Sequence, residues 1–164
     1  MIDFAIATEA RCLNKLLYGR NLSLATAESC TSGEIAAAIT EIPGSSAYFK
    51  GGLVAYATEM KEQYLHVSPE TVAAHTVVSE EVVKEMVKGA CKMFGATYAV
   101  ATSGVAGPTG GTPEIPVGTI WIAAGNEQKI VTQCLSDDNG RTLNVKNAVL
   151  AALRLLTNTI KDTL

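Results

Sequence analysis

An apolar run, Leu22 to Ala27, passes through Glu28-Ser29-Cys30-Thr31-Ser32 straight into a helix-like segment, Gly33 to Ile42, which Pro43-Gly44 halts. So short a link between a strand-like and a helix-like run is a strand-turn-helix junction, and it forces this part of the chain into α/β layering. The junction also projects small hydroxyl and thiol side chains to the place where helix-terminal N–H groups point. If the chain is an enzyme, its chemistry is expected here.

The rest of the chain repeats the alternation. Phe4 to Tyr18 reads as a helix with Leu13, Leu16 and Leu17 on one face and Gly19 as its stop. Thr31-Ser32-Gly33-Glu34 fits a capping box, which makes Thr31 the expected N-cap of the helix that follows. Gly51 to Tyr56 reads as a strand and Met60 to Leu65 as a short helix. Ser68-Pro69 starts another helix, and Ser79 caps a longer one to Phe94, ended by Gly95. Thr97 to Thr102 is a second core strand. A turn-rich segment from Ser103 to Pro113 follows, then paired strands, 119–124 and 129–135, around Asn126-Glu127. Leu143 to Ile160 closes the chain as an amphipathic helix. The pattern predicts a mixed sheet covered by helices, an α/β sandwich.

Composition excludes several classes of function. With 48% hydrophobic and 18% charged residues over 164 positions, the chain is globular and long enough for one well-filled domain. A net charge of -3 argues against a general nucleic-acid binder, while leaving room for a small anion held by local dipoles. No apolar run reaches the roughly 20 residues of a membrane span. Met1-Ile2-Asp3-Phe4 carries neither a basic region nor a signal-like core, so a cytoplasmic protein is expected. Cys12, Cys30, Cys91 and Cys134 form no C-x-x-C pair and show no ligand spacing with His66 or His75, so no metal is expected. Cys12, Cys91 and Cys134 read as buried small hydrophobes.

Four groups of residues carry candidate chemistry. Ser29 and Cys30 lie just ahead of the expected cap, where they either serve the helix start or face a ligand; a serine there needs a base to become a nucleophile. Tyr56 ends a strand, and Lys61 lies a turn into the next helix. That lysine is either a solvated partner of Glu59 and Glu62 or, in a closed apolar site, a base with reduced proton affinity. The run from Gly104 to Gly111 is either a long structural turn or a loop whose N–H groups meet an anion; it matches no Walker P-loop and no G-x-G-x-x-G helix opening. Arg141 suits bidentate phosphate binding, or a solvated helix start.

Several blocks in order resemble the CinA C-terminal-domain family, the nicotinamide mononucleotide amidohydrolases: TAESCTSG (26–33), IPGSSAYFKGGLVAY (42–56), Glu59 and Lys61, VSEEVV (78–83), SGVAGPTGGTPEIPVGTIWIA (103–123) and the terminal helix after Arg141. The resemblance runs from about Leu24 to Leu155. It implies a three-layer α/β/α sandwich in a stand-alone form, a homodimer, and hydrolysis of the carboxamide of nicotinamide mononucleotide to nicotinate mononucleotide and ammonia without a cofactor. The motif serine, tyrosine and lysine fall on Ser29, Tyr56 and Lys61. Substrate contacts then fall on Cys30, Thr31, Ser32, Gly33, Ser103, Gly104, Gly107, Gly110, Gly111 and Arg141, with the phosphate near the glycine-rich loop and Arg141 a secondary anchor. The chain departs from the family pattern at Ser32, where a glycine is usual, and at Gly140 and Val145, where an aspartate and a second arginine are usual. Thr109 and Ile115 stand where Asp and Lys are common.

The resemblance points to an acyl-enzyme route. Neutral Lys61 takes the Ser29 proton, Ser29 attacks the amide carbon, and N–H groups near Cys30 and Thr31 receive the oxyanion, with Tyr56 relaying a proton or holding Lys61. Two rival readings remain at this stage. One uses Cys30 as nucleophile with His75 as base. The other is a catalytically weakened nucleotide-binding or regulatory module of the same fold, suggested by Ser32, Gly140 and Val145.

Overall fold

The computed structural model describes residues 3–164; Met1 and Ile2, read above for leader features, lie outside them. The elements are α1 (Phe4–Leu17), β1 (Leu24–Glu28), α2 (Glu34–Thr40), β2 (Phe49–Val54), α3 (Thr58–Leu65), α4 (Pro69–His75), α5 (Glu80–Phe94), β3 (Tyr98–Gly104), β4 (Ile120–Gly125), β5 (Ile130–Leu135) and α6 (Arg141–Lys161). Local chemistry sets several of these ends. Ser68 Oγ accepts the Thr71 N–H, with Pro69 at the first helical position of α4. Ser79 Oγ accepts the Val82 N–H at the start of α5. Such caps contribute about 1 kcal/mol each. Gly95 closes α5 in the left-handed conformation that glycine adopts without penalty. In the β4–β5 turn, the Asn126 side chain accepts the N–H groups of Gln128 and Lys129.

The sheet runs in the order β2-β1-β3-β4-β5. β1 is parallel to both β2 and β3, while β4 is antiparallel to β3 and β5. Residue parity separates two cores. Leu24, Val100, Ile120 and Ile122 pack toward α1, α2 and α6, among Leu13, Ile35, Leu153 and Leu156. Ala25, Ala27, Ala99, Ala101 and Ala123 point the other way, into the Val82, Val83, Met86 and Val87 stripe of α5. This alanine face lets α5 lie close against the sheet. The result is the three-layer α/β/α sandwich with a mixed sheet.

From β1 the chain leaves through α2 to β2 on one side, then crosses by α3, α4 and α5 to β3 on the other. The carboxyl end of β1 is therefore a topological switch point, where open α/β sheets leave a crevice for ligands. Glu28-Ser29 leaves the sheet there, beside Ala55-Tyr56 after β2 and Ser103-Gly104 at the end of β3.

Some sequence expectations are corrected. Thr31 does not cap α2: the helix starts after Gly33, without a side-chain cap on that residue, because a carboxylate from β1 already occupies the helix end. Cys12 and Cys134 are exposed, since α1 and the outer strand β5 turn them to solvent; only Cys91 of the three expected thiols is buried. β2 runs from Phe49 to Val54, so Tyr56 stands beyond its end. Arg141 is the first residue of α6 and does not precede it. Among the described residues no helix is long and apolar enough to cross a membrane.

Candidate active site

At the switch point a small cleft of about 150 Å³ is bordered by Ser29, Cys30, Tyr56, Thr58, Lys61, Val77, Val78, Ser103, Gly104, Ala106 and Arg141. Ser29 comes from the turn after β1, and Lys61 from the first turns of α3. Lys61 is 1% exposed, unusual for a lysine, and its Nζ reaches three oxygens: Ser29 Oγ at 2.9 Å, the Ala55 carbonyl at 2.7 Å and the Tyr56 carbonyl at 3.2 Å. No carboxylate pairs with it among the described residues. Burial disfavours the ammonium and lowers its pKa from 10.5 to about 8.

The three contacts define what this amine can do. A neutral amine has two N–H donors and one lone pair. The two carbonyls take the donors, so the lone pair is left toward the Ser29 hydroxyl. That is the arrangement of a base beside a nucleophile. In the ammonium form all three N–H groups are donated, and toward Lys61 the Ser29 hydroxyl can only accept.

Cys30 borders the same cleft but belongs to the core packed under α6. Burial pushes its thiol up to about 12, so it carries no thiolate at neutral pH. His75 lies at the end of α4, exposed and 3.7 Å from Glu81, and does not border the cleft. The Cys30–His75 pairing expected as a rival is not formed.

The remaining expected residues separate into those at the cleft and those beside it. Ser103 Oγ donates to the Val77 carbonyl at 2.9 Å, which fastens β3 to the wall between α4 and α5. The main-chain N–H groups of Cys30 and Thr31 have no carbonyl partner among the described residues; of the two residues, Cys30 borders the cleft. The Thr31 hydroxyl points away, donating to Glu28 Oε2 at 2.7 Å and lying 2.9 Å from Thr102 Oγ1. Ser32 and Arg141 border a neighbouring cavity of about 190 Å³ with Glu34, Thr142, Val145 and Lys146. Arg141 therefore faces both spaces. Its Nη1 donates to the Gly107 carbonyl at 2.7 Å, and its Nη2 lies 3.4 Å from Tyr56 Oη. Tyr56 is 59% exposed, and it meets Lys61 through its carbonyl, not its phenol. Gly33 starts α2, while Gly110 and Gly111 are exposed and border neither cavity.

Sequence reasoning missed Glu28. It is 1% exposed, and its carboxylate accepts the N–H groups of Gly33, Ile35 and Ala36 as well as the Thr31 hydroxyl. Burial raises its pKa, and those four hydrogen bonds oppose the rise. The available signal was a lone carboxylate ending an otherwise uncharged strand just ahead of a helix.

Comparison with known proteins places these features in context. The family model described as the CinA C-terminal domain matches residues 7–160. A CinA-like protein of Cytophaga hutchinsonii is 45% identical over 150 residues, which are 92% of this chain and 36% of that protein. The chain thus spans about a third of that relative's length. A protein of Pseudomonas putida named nicotinamide-nucleotide amidohydrolase PncC is 45% identical over 148 residues, 90% of this chain and 92% of its own length. The crystal structure of competence/damage inducible protein CihA from Agrobacterium tumefaciens superposes with a TM-score of 0.91 at 36% identity, covering 94% of each chain.

Proposed function

The chain belongs to the CinA C-terminal-domain family, and from that premise we propose that it is a serine amidohydrolase that cleaves the carboxamide of nicotinamide mononucleotide to nicotinate mononucleotide and ammonia. The observation that carries this reading is the buried Lys61 amine, 2.9 Å from Ser29 Oγ, with both of its neutral-state donors directed to carbonyls.

Lys61 takes the proton as Ser29 Oγ attacks the carboxamide carbon. The oxyanion is received by main-chain N–H at Cys30, with Thr31 beside it; one such donor is worth about 10²–10³ in rate. The Lys61 ammonium returns the proton to the amide nitrogen, and ammonia leaves an ester on Ser29. Lys61 then deprotonates water, which attacks the ester carbon; as the bond to Ser29 Oγ breaks, the Lys61 ammonium returns that proton to Oγ, and the acid leaves. Tyr56 places Lys61 through its carbonyl, and its phenol stands with Arg141 at the mouth. The 150 Å³ cleft takes the carboxamide end, and the phosphate extends past Arg141 into the cavity bordered by Ser32, Thr142 and Lys146. The chain acts as one domain. Homodimer assembly fits the two outer strands, β2 and β5, and the exposed Val54 beside Tyr56.

The test is ammonia release from nicotinamide mononucleotide by the wild-type chain and by Ser29→Ala. Wild-type turnover that the substitution abolishes, with the melting temperature kept, is expected. Calorimetric binding of the nucleotide by a wild-type chain that releases no ammonia rejects the amidase in favour of a binding module. Near-wild-type turnover in Ser29→Ala removes serine from the scheme.

A further inference from the structure

We propose that Glu28 is a positioning residue of this site: its carboxylate replaces the missing N-cap side chain of α2 and so fixes the turn that carries Ser29 against Lys61. The proposal rests on the amidase reading for its kinetic consequence, though its geometry does not.

α2 is short and begins after Gly33, whose left-handed backbone brings no capping side chain. A helix end leaves its first N–H groups without partners. Here Glu28 reaches across from β1 to take them. Oε2 accepts from Gly33 and Ile35 at 3.1 Å each, and Oε1 accepts from Ala36 at 2.8 Å. Oε2 also accepts the Thr31 hydroxyl. Because the Thr31 proton goes to Glu28, the 2.9 Å contact between Thr31 and Thr102 has Thr102 as donor, and the chain of hydrogen bonds ties the turn to β3 as well. Ser29 thus sits on a turn clamped between a strand, a helix and a second strand.

The same residue reaches the base through its main chain. The Glu28 carbonyl accepts the Ala55 N–H at 2.8 Å, and the Ala55 carbonyl accepts Lys61 Nζ at 2.7 Å. Side chain and backbone of Glu28 therefore register nucleophile and base against each other. Glu28 itself does not border the cleft, so it acts through them and not on substrate. A carboxylate is required, because every contact is a donor. A glutamine would turn its own N–H₂ toward main-chain N–H groups and leave some of them unpaired in a buried place.

The experiment compares Glu28→Gln and Thr31→Val with wild type, and with Asn126→Ala, which removes the side-chain acceptor of the β4–β5 turn at the opposite end of the sheet. Three quantities are read: melting temperature, kcat and KM for nicotinamide mononucleotide, and the rate at which an aryl sulfonyl fluoride modifies Ser29, followed by mass spectrometry. In that reaction Ser29 Oγ forms the S–O bond, fluoride leaves, and the proton passes to Lys61. A misplacement near 1 Å costs about 10²-fold. Glu28→Gln is expected to lower kcat and the labelling rate in parallel by about that factor with KM little changed, Thr31→Val by less, and Asn126→Ala to lose melting temperature while keeping both rates. A folded Glu28→Gln that labels and turns over as wild type overturns the proposal. If Glu28→Gln does not fold, wild-type labelling in Thr31→Val overturns it. A wild-type chain that labels at Ser29 without releasing ammonia rejects only the amidase reading, and the labelling series still decides the role of Glu28. A wild-type Ser29 that does not label overturns both.

Discussion

Lys61 shows how far a side chain's surroundings decide its chemistry. A solvated lysine is an ammonium at neutral pH and cannot act as a base. Burial without an anionic partner brings this one down to about 8. Turnover that depends on the neutral amine should therefore rise with pH, tenfold per unit well below 8 and levelling above it; a rate flat from pH 6 to 9 would exclude Lys61 as the base. The same shift is a stability statement with a definite sign. Between about 8 and 10.5 the unfolded chain holds a proton that the folded chain has released, so stability rises with pH across that window. Below it, both states are charged and the full cost of burying the ammonium remains. Denaturant melts of wild type and Lys61→Met over this range should differ in slope. From the sequence, Ser29, Tyr56 and Lys61 were legible as a motif by resemblance. The two carbonyls that orient Lys61 were not, because main-chain acceptors leave no mark on residue identity.

At the scale of elements, alternation and punctuation were readable where a single local rule governs. Serine and proline at the start of α4, Ser79 before α5 and Gly95 after it all act as the sequence indicates. The start of α2 was misread because its cap comes from Glu28, a residue placed by the strand before it. Local pattern favoured Thr31, but long-range geometry had already satisfied those N–H groups. Ser32 then sits at φ +54, a left-handed position that explains why glycine is the usual residue there. α6 carries a comparable substitution. Val145, where the family favours arginine, is 8% exposed and turned into the core, while Lys146 follows it at the rim of the cavity shared with Arg141. On the proposed reading of that cavity as the phosphate site, Lys146 supplies a cation there. A charge-assisted phosphate contact is worth about 1.5–3 kcal/mol, less at an exposed residue. Lys146→Ala should accordingly raise KM for nicotinamide mononucleotide about tenfold. It should also lower the preference for the phosphorylated substrate over nicotinamide riboside. An unchanged preference would move the phosphate elsewhere.

The whole molecule brings Ser29 and Lys61 together from different layers. Ser29 is held by the turn into α2, on the side of α1 and α6, whereas Lys61 belongs to α3, which rests on α5 across the sheet. Their 2.9 Å contact therefore depends on how closely the two layers approach the same strand end. Gly89 sets that approach on the α5 side: a Cβ there would overlap the carbonyl oxygen of Leu65, the last residue of α3. The overlap is with backbone, so it can be relieved only by moving a helix. Two effects oppose each other in Gly89→Ala. Alanine gains about 1 kcal/mol of helix propensity, whereas overpacking costs about 1–3 kcal/mol. With main chain as the obstacle, overpacking should win. The variant should then melt lower by a few degrees and lose kcat about tenfold or more, as α3 carries Lys61 away from Ser29. Gly95→Ala makes the control: its added Cβ meets nothing within 4 Å, its left-handed φ is strained all the same, and it lies beyond the end of α5. It should lose stability while keeping kcat. A more stable Gly89→Ala, or one that melts lower yet turns over normally, would mean that the spacing of α3 and α5 does not govern the distance between base and nucleophile.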